Sequence, residues 1–251
     1  MSDARTPLVL LHGWGMTPRV WDDLAARLDA RFRLVTPALP GHRGRPLPHA
    51  STLDSWADSL APDLPDGAFL CGWSLGAMLA IKLAVRHPQK VRRLVLTGAT
   101  PRFVAADDWP HGLDAATVEA FVRGFAEAPA VTLRRFLSLQ VQGESHRKVV
   151  QASLAAALAR TADADGAADA ALAEGLRVLV ETDLRADLPQ LRQPVLLIHG
   201  DGDALMPLQA AGWLAQALPD ARLEPCRNSG HAPFLSDPAA FADQLLAFAD
   251  V

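Results

Sequence analysis

Ser74 stands at the centre of Gly72-Trp73-Ser74-Leu75-Gly76, directly after the apolar run Ala68-Phe69-Leu70-Cys71 and directly before the helical stretch Ala77 to Arg86. A serine in a sharp strand-to-helix turn lifts its hydroxyl above a sheet, where it can attack a carbonyl. The residues two away on either side must be small, because a side chain there would collide with the turn. The pentapeptide by itself is common, and its placement is what gives it meaning.

A serine hydroxyl is a weak nucleophile until a base takes its proton. Of the eight histidines, His231 is the candidate base, in Asn228-Ser229-Gly230-His231-Ala232-Pro233-Phe234, a loop after the last strand and before the last helix. His87 and His146 read as solvated helix positions, and His12, His42 and His199 adjoin glycines in strand-end loops. His49 and His111 lie in proline-flanked loops. The imidazole in turn needs a carboxylate to hold its tautomer. The strand Val195 to His199 leads into Gly200-Asp201-Gly202-Asp203, and both aspartates lie where they could serve. Asp203 is favoured because it sits further into the loop, with Asp201 capping the turn through its backbone. The developing oxyanion needs backbone donors. His12-Gly13-Trp14-Gly15 after the first strand offers the N–H of Trp14, and the residue after the nucleophile offers the N–H of Leu75. Ser74, Asp203 and His231 with those donors imply acyl transfer through a covalent intermediate.

Short apolar runs must carry these residues. Leu8–Leu11, Phe32–Thr36, Ala68–Cys71, Leu94–Thr97, Val195–His199 and Ala221–Pro225 read as strands. Val20–Leu28, Leu53–Leu60, Leu75–Arg86, Leu208–Leu218 and Pro238–Ala249 read as helices, the last with Asp237 as N-cap and proline at the first position. Strands alternating with helices imply an α/β fold with a mostly parallel sheet covered on both faces. The first strand begins almost at the first residue, so any preceding antiparallel hairpin is missing or vestigial. From 101 to 188 that rhythm stops, and alanine, leucine and arginine recur at helical spacing, as in Val118-Phe121-Val122-Phe125 and Leu133-Phe136-Leu137. These features predict a core over 1–100 and 189–251 and a helical cap over 101–188, above the carboxyl edge of the sheet where ligands of such folds bind. Thr161 to Ala171, rich in alanine and aspartate, is expected to be a loose loop.

The 251 residues suffice for one large domain, and a net charge of −4 disfavours nonspecific nucleic-acid binding. Cys71 and Cys226 read as buried apolar side chains rather than a bridge. Met1 to Pro7 shows no signal pattern and no run reaches membrane-spanning length, so a cytoplasmic setting is expected; a monomer is expected as well. The histidines lack metal-ligand spacing, so neither metal nor cofactor is expected. Tyrosine is absent and cannot act as acid or donor.

At these residues the sequence resembles the α/β-hydrolase superfamily over nearly its whole length. Within it, the chain looks like the pimeloyl-[acyl-carrier protein] methyl ester esterases of biotin synthesis. The stretches that carry this are Leu8 to Gly15, Gly72 to Gly76, Asp108-Trp109-Pro110, Arg135 to Gln140, and His231 to Phe234 with Ser236 and Pro238. The resemblance implies a serine carboxylesterase that cleaves the methyl ester to free acid and methanol. Ser74 would form the acyl-enzyme, and His231 would protonate methoxide and then activate water. Trp14, Ser74, Leu75, Phe136, Leu137, Ser138, Leu139, Gln140 and His231 would surround the acyl chain. It also implies transient contact with acyl carrier protein, for which Arg134, Arg135, Arg147 and Lys148 are the nearest basic residues. Val131 and Ala152 stand where further basic side chains are expected.

Two other readings share these motifs. A generalist short-chain carboxylesterase needs the same serine, and a noncatalytic receptor can keep the triad. Dehalogenases of this architecture are disfavoured, because they place a carboxylate where Ser74 stands.

Overall fold

A computed structural model describes residues 5–159 and 166–250. All six expected strands form: β1 Thr6–Leu11, β2 Phe32–Val35, β3 Ala68–Trp73, β4 Val91–Thr97, β5 Val195–Gly200 and β6 Ala221–Cys226. They make one sheet in the order β2-β1-β3-β4-β5-β6, with every pairing parallel. β3 and β5 are buried along their whole length, which is why they read as unbroken apolar runs, whereas the edge strand β6 alternates between half-buried and exposed.

The α-helices among the described residues are α1 Asp22–Leu28, α2 Leu53–Leu60, α3 Leu75–Arg86, α4 Ala115–Glu127, α5 Pro129–Gln140, α6 Arg147–Ala157, α7 Ala167–Glu181, α8 Leu208–Ala217, α9 Pro233–Ser236 and α10 Pro238–Ala249. Helices α2, α3 and α8 pack in one apolar cluster, and α1, α9 and α10 in another. The sheet is therefore covered on both faces. The expected helix Val20–Leu28 divides into a 3-10 turn, Pro18–Trp21, followed by α1. Asp237 accepts from Ala240 N–H at 2.9 Å, capping α10 as its sequence predicts.

Between β4 and β5, neighbours in the sheet, the chain leaves the sheet and forms α4 to α7. The two ends of this excursion are clasped together. Leu184 N–H donates to Pro101 O at 2.8 Å, Arg102 pairs with Asp183 at 3.4 Å, and Arg185 pairs with Asp108 at 2.9 Å. The Trp109 indole donates to Arg102 O at 3.0 Å, so Asp108-Trp109 belongs to the root of the excursion rather than to the catalytic centre. The loop expected over Thr161 to Ala171 is partly corrected. Residues 161–165 lie outside those described, but from Ala167 the chain is helical, because alanine's high helix propensity extends α7 to its own start. Residues 1–4 of the segment read as lacking a signal pattern also lie outside those described.

Candidate active site

The parallel sheet brings the carboxyl ends of β1, β3, β5 and β6 to one edge, and each delivers one part of the site. Ser74 follows β3 with φ 58° and ψ −122°, a left-handed conformation that costs a non-glycine residue about 1–3 kcal/mol. A side chain at position 72 would overlap Gly76 and Ala77, the helix turn itself. At position 76 the obstacle differs: a Cβ would overlap the carbonyl oxygens of Leu11, the last residue of β1, and of His12 just after it. The first glycine spares the turn, as its sequence predicts, and the second lets α3 lie against the neighbouring strand.

The structure brings His231 and Asp203 together. Asp203 Oδ2 lies 2.7 Å from His231 Nδ1, while its Oδ1 accepts the N–H groups of Leu205 and Met206 at 2.9 Å each. Burial works against ionisation of this carboxylate. The charge and hydrogen bond of His231, the nearby His199 and the Met206 N–H outweigh it, and the pKa is lowered. Asp201 is exposed and meets the protein through its backbone, donating to Cys226 O at 2.9 Å.

His231 Nε2 is buried and has no hydrogen-bond partner, and the Ser74 hydroxyl makes no hydrogen bond among the described residues. The two residues are nevertheless held to adjoining atoms. Ser74 N–H donates to Thr97 O at 3.0 Å, and Gly98, the next residue, packs directly against the His231 ring. Free enzymes commonly show such catalytic contacts loose until substrate binds.

Trp73 was not singled out as a site residue. Its Nε1–H donates to His231 O at 2.8 Å, tying β3 to the loop that holds His231, and its ring lies 5.5 Å from the imidazole. His199 ends the expected strand Val195–His199 and lies at the same edge as Asp203. It is wholly buried within β5, with Nε2 at 2.7 Å from Met206 O and 3.4 Å from Asp203 Oδ2.

The loop after β1 carries Trp14, whose N–H the sequence offers as a donor. Neither Trp14 N–H nor Leu75 N–H donates to a protein acceptor among the described residues, which leaves both free to turn toward a ligand. Two histidines shape this loop. Gly15 N–H donates to His42 Nε2 at 3.1 Å, and Leu39 N–H donates to His12 Nε2 at 3.1 Å. Burial, helped by the charge of His42, pushes His12 down to about 3, and burial pushes His42 down to about 4. Both are therefore neutral acceptors at ordinary pH. Their signal in the sequence is only adjacency to glycine.

The Trp14 indole packs among the cap helices. Its Nε1–H donates to Leu172 O at 2.8 Å, and Phe121, Phe125 and Phe136 meet its ring edge-on. Trp14, Phe121, Phe136, Leu139, Leu176 and Leu205 line an apolar slot of about 40 Å³ that reaches the loop holding Asp203. Of the residues expected along the acyl chain, Phe136 and Leu139 face this slot. Leu137 does not: the turn of α5 sends it into the opposite cluster with Met16 and Trp73. Ser138 bonds back to Arg134 O at 3.4 Å. Gln140 is buried with both side-chain polar atoms unpartnered, and its carbonyl accepts from His231 N–H at 3.1 Å.

Residues 8–244 match the model of the alpha/beta hydrolase family. The chain belongs to that family. A pimeloyl-[acyl-carrier protein] methyl ester esterase from Aromatoleum aromaticum is 55% identical over 93% of this chain and 94% of its own length. Another of the same name, from Nitrosomonas europaea, is 44% identical over 93% of this chain and 92% of its own. Among solved structures, the esterase EaEST from Exiguobacterium antarcticum superposes with a TM-score of 0.84 at 22% identity, covering 98% of this chain and 92% of that one. At that identity it speaks for the fold alone. In this alpha/beta hydrolase, no helix among the described residues is long and apolar enough to cross a membrane.

Proposed function

We propose that this alpha/beta hydrolase is the carboxylic ester hydrolase that converts pimeloyl-[acyl-carrier protein] methyl ester to the free acid and methanol in biotin synthesis. The observation that carries this reading is the 55% identity, nearly end to end, with an esterase of that name.

Ser74 Oγ attacks the methyl ester carbonyl while His231 Nε2 takes its proton. Asp203 keeps the other ring proton on Nδ1 and stabilises the imidazolium. The N–H groups of Trp14 and Leu75 receive the oxyanion, each worth about 3–4 kcal/mol of barrier. Collapse of the tetrahedral intermediate breaks the bond to the methoxy oxygen, which leaves as methanol with the proton from Nε2. Water then attacks the acyl-enzyme, giving its proton to Nε2, and the free acid departs as Ser74 is reprotonated.

The apolar slot beside Trp14 receives the methylene chain. At about 40 Å³ it is well below the roughly 300–1,000 Å³ of ligand pockets, so the excursion acts as a lid whose α4, α5 and α7 separate on binding. Arg134, Arg135, Arg147 and Lys148 are exposed and form no ion pair among the described residues. That leaves them free for the acidic carrier and the phosphate of its prosthetic arm. The enzyme works as a cytoplasmic monomer. Cys71 and Cys226, both free thiols, fit a reducing compartment, and Val122, Val131 and Val149 are the exposed large apolar side chains among the described residues.

A second reading, a generalist short-chain esterase, draws on the small slot, which as it stands suits only a short acyl group. Comparing kcat/KM for the carrier-linked methyl ester with that for p-nitrophenyl acetate and butyrate separates the two. Preference for the carrier-linked ester supports the biotin-pathway reading. Faster cleavage of the short esters overturns it.

A further inference from the structure

The segment from Gln140 to His146, between α5 and α6, touches both loops that carry the acid and the base. Gly143 packs against Gly202 so closely that a Cβ on either would overlap the other's backbone. Ser145 N–H donates to Asn228 O at 3.0 Å, and His231 N–H donates to Gln140 O at 3.1 Å. Within this segment Glu144 has a side chain that is wholly buried. Its Oε2 accepts from Gly230 N–H at 3.1 Å and from the Ser236 hydroxyl, and its Oε1 accepts from His146 N–H at 2.8 Å. The exposed His146 ring stands 3.9 Å from Oε1, and Ser229 Oγ lies 2.9 Å from Ser236 Oγ.

A carboxylate taken out of water must be compensated by donors, and here three converge on it. What matters is where they come from. Gly230 immediately precedes His231, and Ser236 ends α9, the short helix just beyond it, so a single side chain grips the backbone before the base and a side-chain hydroxyl after it. Because Nε2 has no hydrogen bond among the described residues, the imidazole is aimed by its Nδ1 contact with Asp203, by packing against Gly98 and Trp73, and by the backbone on either side. A misplacement of about 1 Å at a reacting group costs on the order of a hundredfold in rate.

We infer that Glu144 is a positioning residue for ester hydrolysis: its buried carboxylate staples the turn around His231 and fixes the imidazole toward Ser74. The inference rests on the reading of Ser74, His231 and Asp203 as the triad. A residue that merely holds α5 to α6 would not act through His231, and this difference can be measured.

The test is a double-mutant cycle on p-nitrophenyl butyrate, with Glu144→Gln and Glu144→Ala made in the wild type and in His231→Ala, and folding checked by thermal melts. Glu144→Gln keeps the shape but turns an amide NH₂ toward a backbone donor. It is expected to lower kcat about 10- to 100-fold with KM within about twofold, and to change nothing once His231 is alanine. A folded Glu144→Gln enzyme with kcat within about threefold of wild type overturns the inference, and so does an equal loss in the His231→Ala background. If neither Glu144 variant folds, Ser236→Ala removes one donor and spares the carboxylate. A kcat loss of a few-fold, absent in His231→Ala, is then expected, and no loss overturns the staple. Fluorophosphonate labelling of the wild type runs alongside. An unlabelled Ser74 overturns the triad reading, whereas a labelled Ser74 with unaffected Glu144 and Ser236 variants overturns only the staple.

Discussion

Asp203→Asn separates the charge of the acid from its shape. Asp203 Oδ1 accepts two backbone N–H groups, from Leu205 and Met206, at 2.9 Å, and Oδ2 faces His231 Nδ1 at 2.7 Å. An asparagine fits the same space, but its two ends are no longer alike. Its oxygen must take the place of Oδ1, because an NH₂ there would confront two donors. The NH₂ must then face Nδ1, which can only accept, so the ring proton moves to Nε2. An imidazole carrying a proton on Nε2 cannot take one from Ser74. The expected loss is about 10⁴ in kcat, equivalent to about 5.5 kcal/mol of barrier. The cost to folding is about 1–2 kcal/mol, since one charge-assisted bond is replaced by a neutral one. Steady-state hydrolysis of p-nitrophenyl butyrate measures both kcat and KM, with KM expected within about threefold of wild type. Asp201→Asn serves as control, expected within about twofold, because that side chain is exposed and away from the imidazole. A folded Asp203→Asn enzyme retaining kcat within about tenfold of wild type would refute the tautomer argument.

Three further outcomes follow from packing and burial. Burial holds His12 at about 3 and His42 at about 4, against 6.5 for the free side chain, so below 6.5 the unfolded chain takes up protons the folded one refuses. Stability is then fully present above pH 6.5 and falls as pH drops toward 4, with a slope approaching about 2.7 kcal/mol per pH unit for two protons. Urea midpoints across that range test it, and a flat profile contradicts it. Gly76→Ala sets a Cβ against the Leu11 and His12 carbonyls, which cannot retreat without breaking β1, and should destabilise by about 3 kcal/mol or more. A loss under about 1 kcal/mol in thermal or urea unfolding would show that α3 can shift. Val118→Trp fills the slot beside Trp14. It should cut kcat/KM for pimeloyl methyl ester at least about 30-fold while leaving acetate esters within about threefold, and equal losses on both would remove the slot from the acyl path.

What could be read in the amino-acid order was what repeats locally. β3 and α3 announce themselves as an unbroken apolar run followed by small residues and a helical pattern, and Ser74 falls between them. Asp203 was separable from Asp201 by its depth in one loop. Contacts that join distant residues left no such trace. Trp73 reaches His231, His42 reaches Gly15, and Glu144 reaches Gly230, each through one side-chain bond to a backbone group with no periodicity to reveal it. Leu137 and Leu139 look interchangeable in Arg135 to Gln140. Only the phase of α5 against the sheet sends one to the slot and the other to the opposite cluster. The strand read as Val195–His199 runs one residue further, through Gly200, because a glycine there can still pair with β6.

The decisive experiment on the nucleophile is mass spectrometry of the protein after exposure to a fluorophosphonate. One adduct per chain is predicted on the peptide that holds Ser74, absent in Ser74→Ala and formed at least about a thousandfold more slowly in His231→Ala. An unmodified wild-type chain, an adduct on another residue, or labelling of His231→Ala at the wild-type rate would contradict it.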